Sequence, residues 1–221
     1  MTMNTDFDAI VIGSGISGGW AAKELCEKGL KTLVLERGRP LQHGSDYLGE
    51  HAPPWKLEFH GKPDRELDKK DYEIQSQVYA YGDATRQFWN KDSENPYDVE
   101  NSKEFLWHRG DRVGGRSTMW GRQSYRWSAQ DFEANAKDGY GVPWPVSYDD
   151  IAPWYSYVEK FAGINGRKEG LPQLPDGEFQ KPMPWLPLEE TIEARLKKKA
   201  PDVTLTSART AILTEPLGDR A

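Results

Sequence analysis

The chain has 221 residues, a net charge of −6, 37% hydrophobic residues and a single cysteine. At roughly 150 residues per domain, that is one large domain or one and a half. The pI of about 5.4 argues against a nucleic-acid binder, which needs a basic stripe for phosphates, and the 12% aromatic content, with nine Trp, argues against disorder.

Residues 7–38 form the clearest unit. Phe7–Ile12 reads as a short buried strand, and Gly13-Ser14-Gly15-Ile16-Ser17-Gly18 follows at once. Ile16–Lys28 reads as a helix, with Ala21, Ala22, Leu25 and Cys26 apolar and Gly29 as its stop. Lys31–Glu36 is a second strand. Together they predict a βαβ unit with a phosphate-binding turn.

Residues 40–104 are polar and irregular, and read as an excursion covering a site. One helix is predicted within them, from Tyr72 to about Trp89, and Phe105–His108 reads as a further strand. It runs into a second glycine-rich segment, Arg112–Gly121. Residues 143–187 hold eight of the fifteen prolines. Inside that stretch Ile151, Trp154, Tyr155, Val158, Phe161 and Ala162 recur at helical spacing, Gly163 closes the helix, and Pro153 suits its first turn. Asp149 and Asp150 serve its N-terminus. Glu189–Lys199 is a charged helix that ends on Lys197, Lys198 and Lys199. Val203–Thr206 and Arg209–Leu213 read as strands.

Gly13-x-Gly15-x-x-Gly18 carries the first chemistry. Gly13 permits the tight turn, Gly15 lets backbone approach a pyrophosphate, and Gly18 lets helix and strand pack closely. Ser14 lies within the turn. The helix start at Ile16, Ser17 and Gly18 offers N–H donors and the positive dipole end. Glu36 ends the next strand 23 residues after Gly13. A carboxylate there accepts from the ribose hydroxyls of an adenine dinucleotide, and Arg37 alone is too little positive charge for a 2′-phosphate. The choice between FAD and NAD turns on the second segment. Gly114 and Gly115 let main chain pass against a flat ring, and Ser117 and Thr118 offer hydroxyls or N–H groups to it. An ordinary glycine loop is the competing reading for that segment.

These residues resemble the glucose–methanol–choline (GMC) oxidoreductases. The likeness lies in the N-terminal βαβ unit, the Glu36–Pro40 run, Arg112–Arg126 and Trp144–Tyr155. It is nearest to the sugar-oxidising arm, meaning glucoside 3-dehydrogenases and pyranose oxidase-like enzymes. The resemblance implies an α/β fold: a Rossmann-like FAD-binding domain over 1–135, the start of a smaller α+β substrate domain over 136–200, and strands over 201–221 returning to the FAD domain. It implies hydride transfer from a secondary hydroxyl of a sugar or glycoside, C3 of a pyranose in its sharpest form, to flavin N5. Some relatives link FAD covalently through a His at the position of Met119. A thioether cannot form that link, so non-covalent FAD is expected, with Met119, Trp120 and Gly121 beside the flavin or under its loop. Arg122, Tyr125 and Arg126 project toward substrate or brace the loop.

Alcohol oxidation needs a base for the hydroxyl proton. The family's His lies in the C-terminal part of a longer chain, and His43, His51, His60 and His108 are the only four here. No catalytic residue is therefore assigned in this chain, nor any metal ligand. The chain reads as the N-terminal part of a larger enzyme or a truncated product, with a second chain to complete the site or accept electrons. No leader is expected ahead of Phe7, and no apolar run reaches roughly 18 residues. With Cys26 alone, a cytoplasmic location is expected, export with a partner remaining open. Two other readings stand: an NAD-dependent dehydrogenase using the same motif, and a non-catalytic flavin-binding or interaction protein.

Overall fold

The computed structural model describes residues 6–100 and 102–220. Met1 and Ala221, where the expected outer domain limits fall, lie outside them. The chain divides into two compact units, residues 1–120 and 121–221. Both helix and strand are present, with one small parallel sheet.

In the first unit, β1 (Ala9–Ile12), α1 (Ile16–Glu27) and β2 (Thr32–Leu35) form the expected βαβ unit. The two strands pair in parallel from Ala9 opposite Thr32 to Ile12 opposite Leu35. Gly13 and Gly29 turn the chain at either end of the helix with φ of +87° and +83°, which favours glycine. Val11 is buried and lies against the start of α1. Side chains alternate along a strand, so Ile10 and Ile12 turn the other way, where they are 60% and 85% exposed.

Two short helices follow, α2 (Leu48–His51) and α3 (Arg65–Asp71). Asp64 caps α3 by accepting from the Leu67 amide at 3.1 Å. The helix expected over 72–89 does not form. Only 3-10 turns occur there, at Gln75–Gln77 and Arg86–Phe88. The reason is a competing acceptor. Asp92 takes the amides of Ile74 and Gln75 at 2.9 and 3.3 Å, which draws that backbone away from a continuous helical ladder. Gln75 is fully buried, donating to Asp92 and to the Trp107 carbonyl and accepting from the Arg109 amide. The expected strand at 105–108 fails for a related reason. Trp107 donates its amide to the Tyr97 hydroxyl at 2.8 Å and gives its carbonyl to Gln75. Side chains satisfy this backbone, so no neighbouring strand is needed. Tyr72, Phe88 and Trp89 form the local apolar core.

The second unit holds α4 (Ala129–Lys137), α5 (Tyr148–Ala162) and α6 (Pro187–Lys199). The boundary expected near residue 135 falls inside α4. Ser128 and Asp131, then Ser147 and Asp150, form capping boxes for α4 and α5. Gly163 ends α5 with φ of +71°. Because the Ser147 box starts α5 at Tyr148, Pro153 lies inside the helix rather than in its first turn. Pro187 takes the first position of α6, two residues before the expected start, where its missing N–H costs nothing.

Arg126 sits at the centre of this unit as a buried brace. It makes two bonds to Glu159, at 2.8 and 2.6 Å, and others to Tyr148 and Ser156. Neither role expected for Arg126 is this one: its partners lie on α5, not on the glycine-rich loop. Residues 203–206 and 209–213 form no strands. Thr210 instead makes single bridges to Gln123 and Asn165, and the buried Asn165 amide reaches Thr210 and the Ile212 carbonyl. A side-chain clamp thus replaces a ladder. Trp144 packs edge-on against Trp127 and Phe132, and Trp185 lies under Arg167.

Candidate cofactor site

The site is built within the first unit from three backbone turns. The first is the Gly13–Gly18 turn between β1 and α1. A Cβ on Gly18 would lie 1.9 Å from the Gly13 carbonyl oxygen. Only glycine lets α1 begin this close to β1. Gly15 is the N-cap of α1 and supplies no side chain to the first helical amides. Those N–H groups have no intrahelical acceptors and carry the positive dipole end. An anionic group fits there.

The second turn follows β2. Glu36 Oε2 accepts from the Ser14 amide at 2.8 Å and the Ser14 hydroxyl at 2.7 Å. Its Oε1 accepts from the Gly38 amide at 2.8 Å. The Ser14 hydroxyl, the Ser14 amide and then the Gly38 amide hold the Glu36 carboxyl down to about 2. It is a carboxylate at any physiological pH. A carboxylate offers about four lone-pair positions. Three are taken by hydrogen bonds, and the Arg37 amide adds a smaller pull on the same carboxylate. Arg37 points to Asp111 in an ion pair.

The third turn is the second glycine-rich segment. Gly114 and Gly115 take φ of +88° and +54°, and Gly115–Thr118 is a 3-10 turn. Ser117 and Thr118 donate their hydroxyls to the carbonyls of Gly114 and Gly115 at 2.6 and 2.9 Å. Their hydrogens therefore shape the turn, and their lone pairs stay available. A Cβ on Gly115 would stand 3.1 Å from the Cα of Gly15. The two glycine segments, 100 residues apart, thus meet backbone to backbone. The Gly114 amide also donates to the Ser14 hydroxyl at 2.9 Å.

Met119 packs beneath the turn, its methyl against Gly110. Trp120 is 40% exposed. Ile16 and Ser17 are exposed at the start of α1. Gly121, Arg122 and Tyr125 belong to the second unit.

Two residues that matter here escaped the sequence reading. A Cβ on Gly38 would lie 2.1 Å from the Arg112 amide nitrogen, so Gly38 lets the Glu36 turn run against the second segment. The signal was present: a lone glycine between charged residues just after a strand marks close backbone approach. Arg112 is buried and donates to the Gln87 carbonyl at 2.6 Å. Burial, with Arg39 nearby, lowers its pKa. Nothing in its sequence position indicated that. His43 stacks on Tyr47, His60 contacts the Trp55 carbonyl, and the His108 carbonyl accepts from Arg116. Among the described residues no cluster of three His, Cys, Asp or Glu is placed to hold a metal, and no helix is long and apolar enough to cross a membrane.

No protein-family model matches the chain. Several curated proteins do. The fructose dehydrogenase large subunit of Gluconobacter japonicus is 26% identical over 179 residues, covering 80% of this chain and 30% of that protein. The 6'''-hydroxyparomomycin C oxidase of Streptomyces lividus is 28% identical over 168 residues, 75% of this chain and 24% of its own. The gluconate 2-dehydrogenase flavoprotein of Pantoea cypripedii is 25% identical over 174 residues, with 72% and 25% covered. These relatives are GMC-type oxidoreductases. The chain spans 24–30% of their length.

Proposed function

We propose that this chain carries the FAD-binding part of a GMC-type oxidoreductase, built on a Rossmann-like fold. The observation that carries the reading is the meeting of Gly15 with Gly115 beside an ionised Glu36. A cradle for an anion, a carboxylate for a ribose and a side-chain-free turn for a flat ring lie on one continuous backbone surface. Cβ atoms at Gly18, Gly38 or Gly115 would fill or distort it.

In this reading the α1 amides at Ile16, Ser17 and Gly18 bind the pyrophosphate. Glu36 orients the ribose through its carboxylate and, being negative, disfavours a 2′-phosphate. Gly114, Gly115, Ser117 and Thr118 present backbone and lone pairs to the isoalloxazine end. Met119 supports the turn and cannot make a covalent link, so the cofactor is held non-covalently. Bound there, FAD supplies the hydride acceptor for alcohol oxidation. The names of the relatives point to sugars, aminoglycosides and alcohols. The substrate class proposed is a sugar or glycoside secondary hydroxyl, with C3 of a pyranose as the most specific form. No residue here is assigned as the base that takes the hydroxyl proton. A partner subunit is also proposed, since one relative is itself named a large subunit.

The test is titration of the purified protein with FAD and separately with NAD. FAD binding with a perturbed visible spectrum, and full release of the flavin on denaturation, is the expected result. Tight NAD binding without FAD uptake would overturn the reading in favour of a nicotinamide enzyme.

A further inference from the structure

We propose that Ser14 is a positioning residue that registers the second glycine turn against the Glu36 carboxylate. The proposal rests on the FAD reading for its consequence, but the contact itself does not. One hydroxyl joins two segments that the chain keeps far apart. Ser14 Oγ donates to Glu36 Oε2 at 2.7 Å and accepts from the Gly114 amide at 2.9 Å. The Ser14 amide binds the same carboxylate oxygen at 2.8 Å.

The direction of this relay follows from counting. A hydroxyl has one hydrogen and two lone pairs. The hydrogen goes to the carboxylate, where the bond is charge-assisted. A lone pair is then left facing Gly114, which can only donate. Both ends are thus specified, and neither can reverse. Gly114 and Gly115 occupy consecutive left-handed conformations, which glycine enters freely and leaves as freely. Their intrinsic preference does not hold the turn in place. The Ser117 and Thr118 hydroxyls shape the turn from within, and the Ser14 lone pair and the close approach to Gly15 register it against the first segment. The ribose end and the ring end of the site are therefore set relative to one another before any dinucleotide arrives. Such preorganisation lowers the ordering cost of binding.

The experiment compares Ser14→Ala and Ser14→Thr with the wild type in two measurements. The first is amide hydrogen exchange without any flavin. Ser14→Ala should speed exchange across Gly114–Thr118 by about tenfold or more, because the Gly114 amide loses its acceptor. Exchange in the paired strands β1 and β2 of the same unit should not change, which reports that its fold is intact. Ser14→Thr keeps a hydroxyl and should restore slow exchange. The second measurement is FAD affinity, read by quenching of flavin fluorescence. Ser14→Ala should bind about tenfold more weakly, the size expected for one lost hydrogen bond in a charged network, and Ser14→Thr should recover it. Unchanged exchange in Ser14→Ala overturns the proposal whatever FAD does. Faster exchange with wild-type FAD affinity overturns it too, since the registration would then have no consequence. A wild-type protein that takes up no FAD overturns the functional reading instead, and the exchange result still decides whether Ser14 holds the turn.

Discussion

Gly18 and Gly19 are neighbours at the start of α1, and alanine at each should move stability in opposite directions. In a helix interior, Gly→Ala gains about 1 kcal/mol from propensity. At Gly19 nothing opposes that gain, because the new Cβ would meet only the Ser14 carbonyl oxygen at 3.8 Å. At Gly18 the new Cβ would sit 1.9 Å from the Gly13 oxygen and 3.3 Å from Val11 Cγ1. To restore an ordinary contact, α1 must shift by about 1.5 Å from β1, an overpacking in the upper part of the usual range, about 2–3 kcal/mol. That shift also pulls the Ser14 turn off Glu36. Gly18→Ala should therefore lose about 1–2 kcal/mol net and Gly19→Ala gain about 0.5–1 kcal/mol. Equilibrium urea unfolding followed by tryptophan fluorescence measures both, provided the transition is cooperative. If Gly18→Ala matched the wild type within about 0.5 kcal/mol, the close packing of α1 on β1 would be wrong. Two variants of the same sign would refute the reasoning as well.

Three further outcomes are expected. Glu159→Ala leaves the buried Arg126 guanidinium without its two-bond partner and should cost about 3–5 kcal/mol; a loss below about 1 kcal/mol in urea unfolding would show that the pair is not buried in solution. Glu36 titrates near 2 in the folded chain against an ordinary 4.5, so its stabilisation is whole above about pH 4.5 and is lost as pH falls from there toward 2. Asp46, paired with Arg39, is lowered to about 2 as well. Glu36→Gln should therefore flatten only part of the acid dependence of stability, and a profile identical to the wild type's would count against the Ser14–Glu36 bonds. Gly115→Ala forces a side chain into a left-handed turn 3.1 Å from Gly15 Cα and should weaken FAD binding about tenfold or more; unaltered affinity in a flavin titration would place the ring elsewhere.

Much of the site was legible in the sequence because its parts are local. Gly13, Gly15 and Gly18 sit at fixed spacing between a strand and a helix, and Glu36 follows the next strand. Their roles depend on backbone within a few residues. The acids at Asp149 and Asp150 that serve the start of α5, and the stop at Gly163, were readable for the same reason. The failures share a different cause. A helix over 72–89 and strands at 105–108, 203–206 and 209–213 were inferred from apolar content, and at 72–89, 105–108 and 209–213 a polar side chain arriving from elsewhere in the chain takes the backbone instead. Asp92 takes the amides at 74 and 75, Gln75 takes Trp107, and Asn165 takes residues 210 and 212.

By itself, then, the sequence determined the βαβ unit, the glycine turn that opens α1 and the carboxylate that follows β2, since each follows from short-range steric and capping rules. The tertiary structure alone decided that the second glycine segment closes on the first. Gly38 and Arg112, Gly15 and Gly115, Ser14 and Gly114 meet across separations of 74 to 100 residues. Backbone approach at that range is set by chain packing and by the reach of single hydrogen bonds. No periodicity along the chain encodes it.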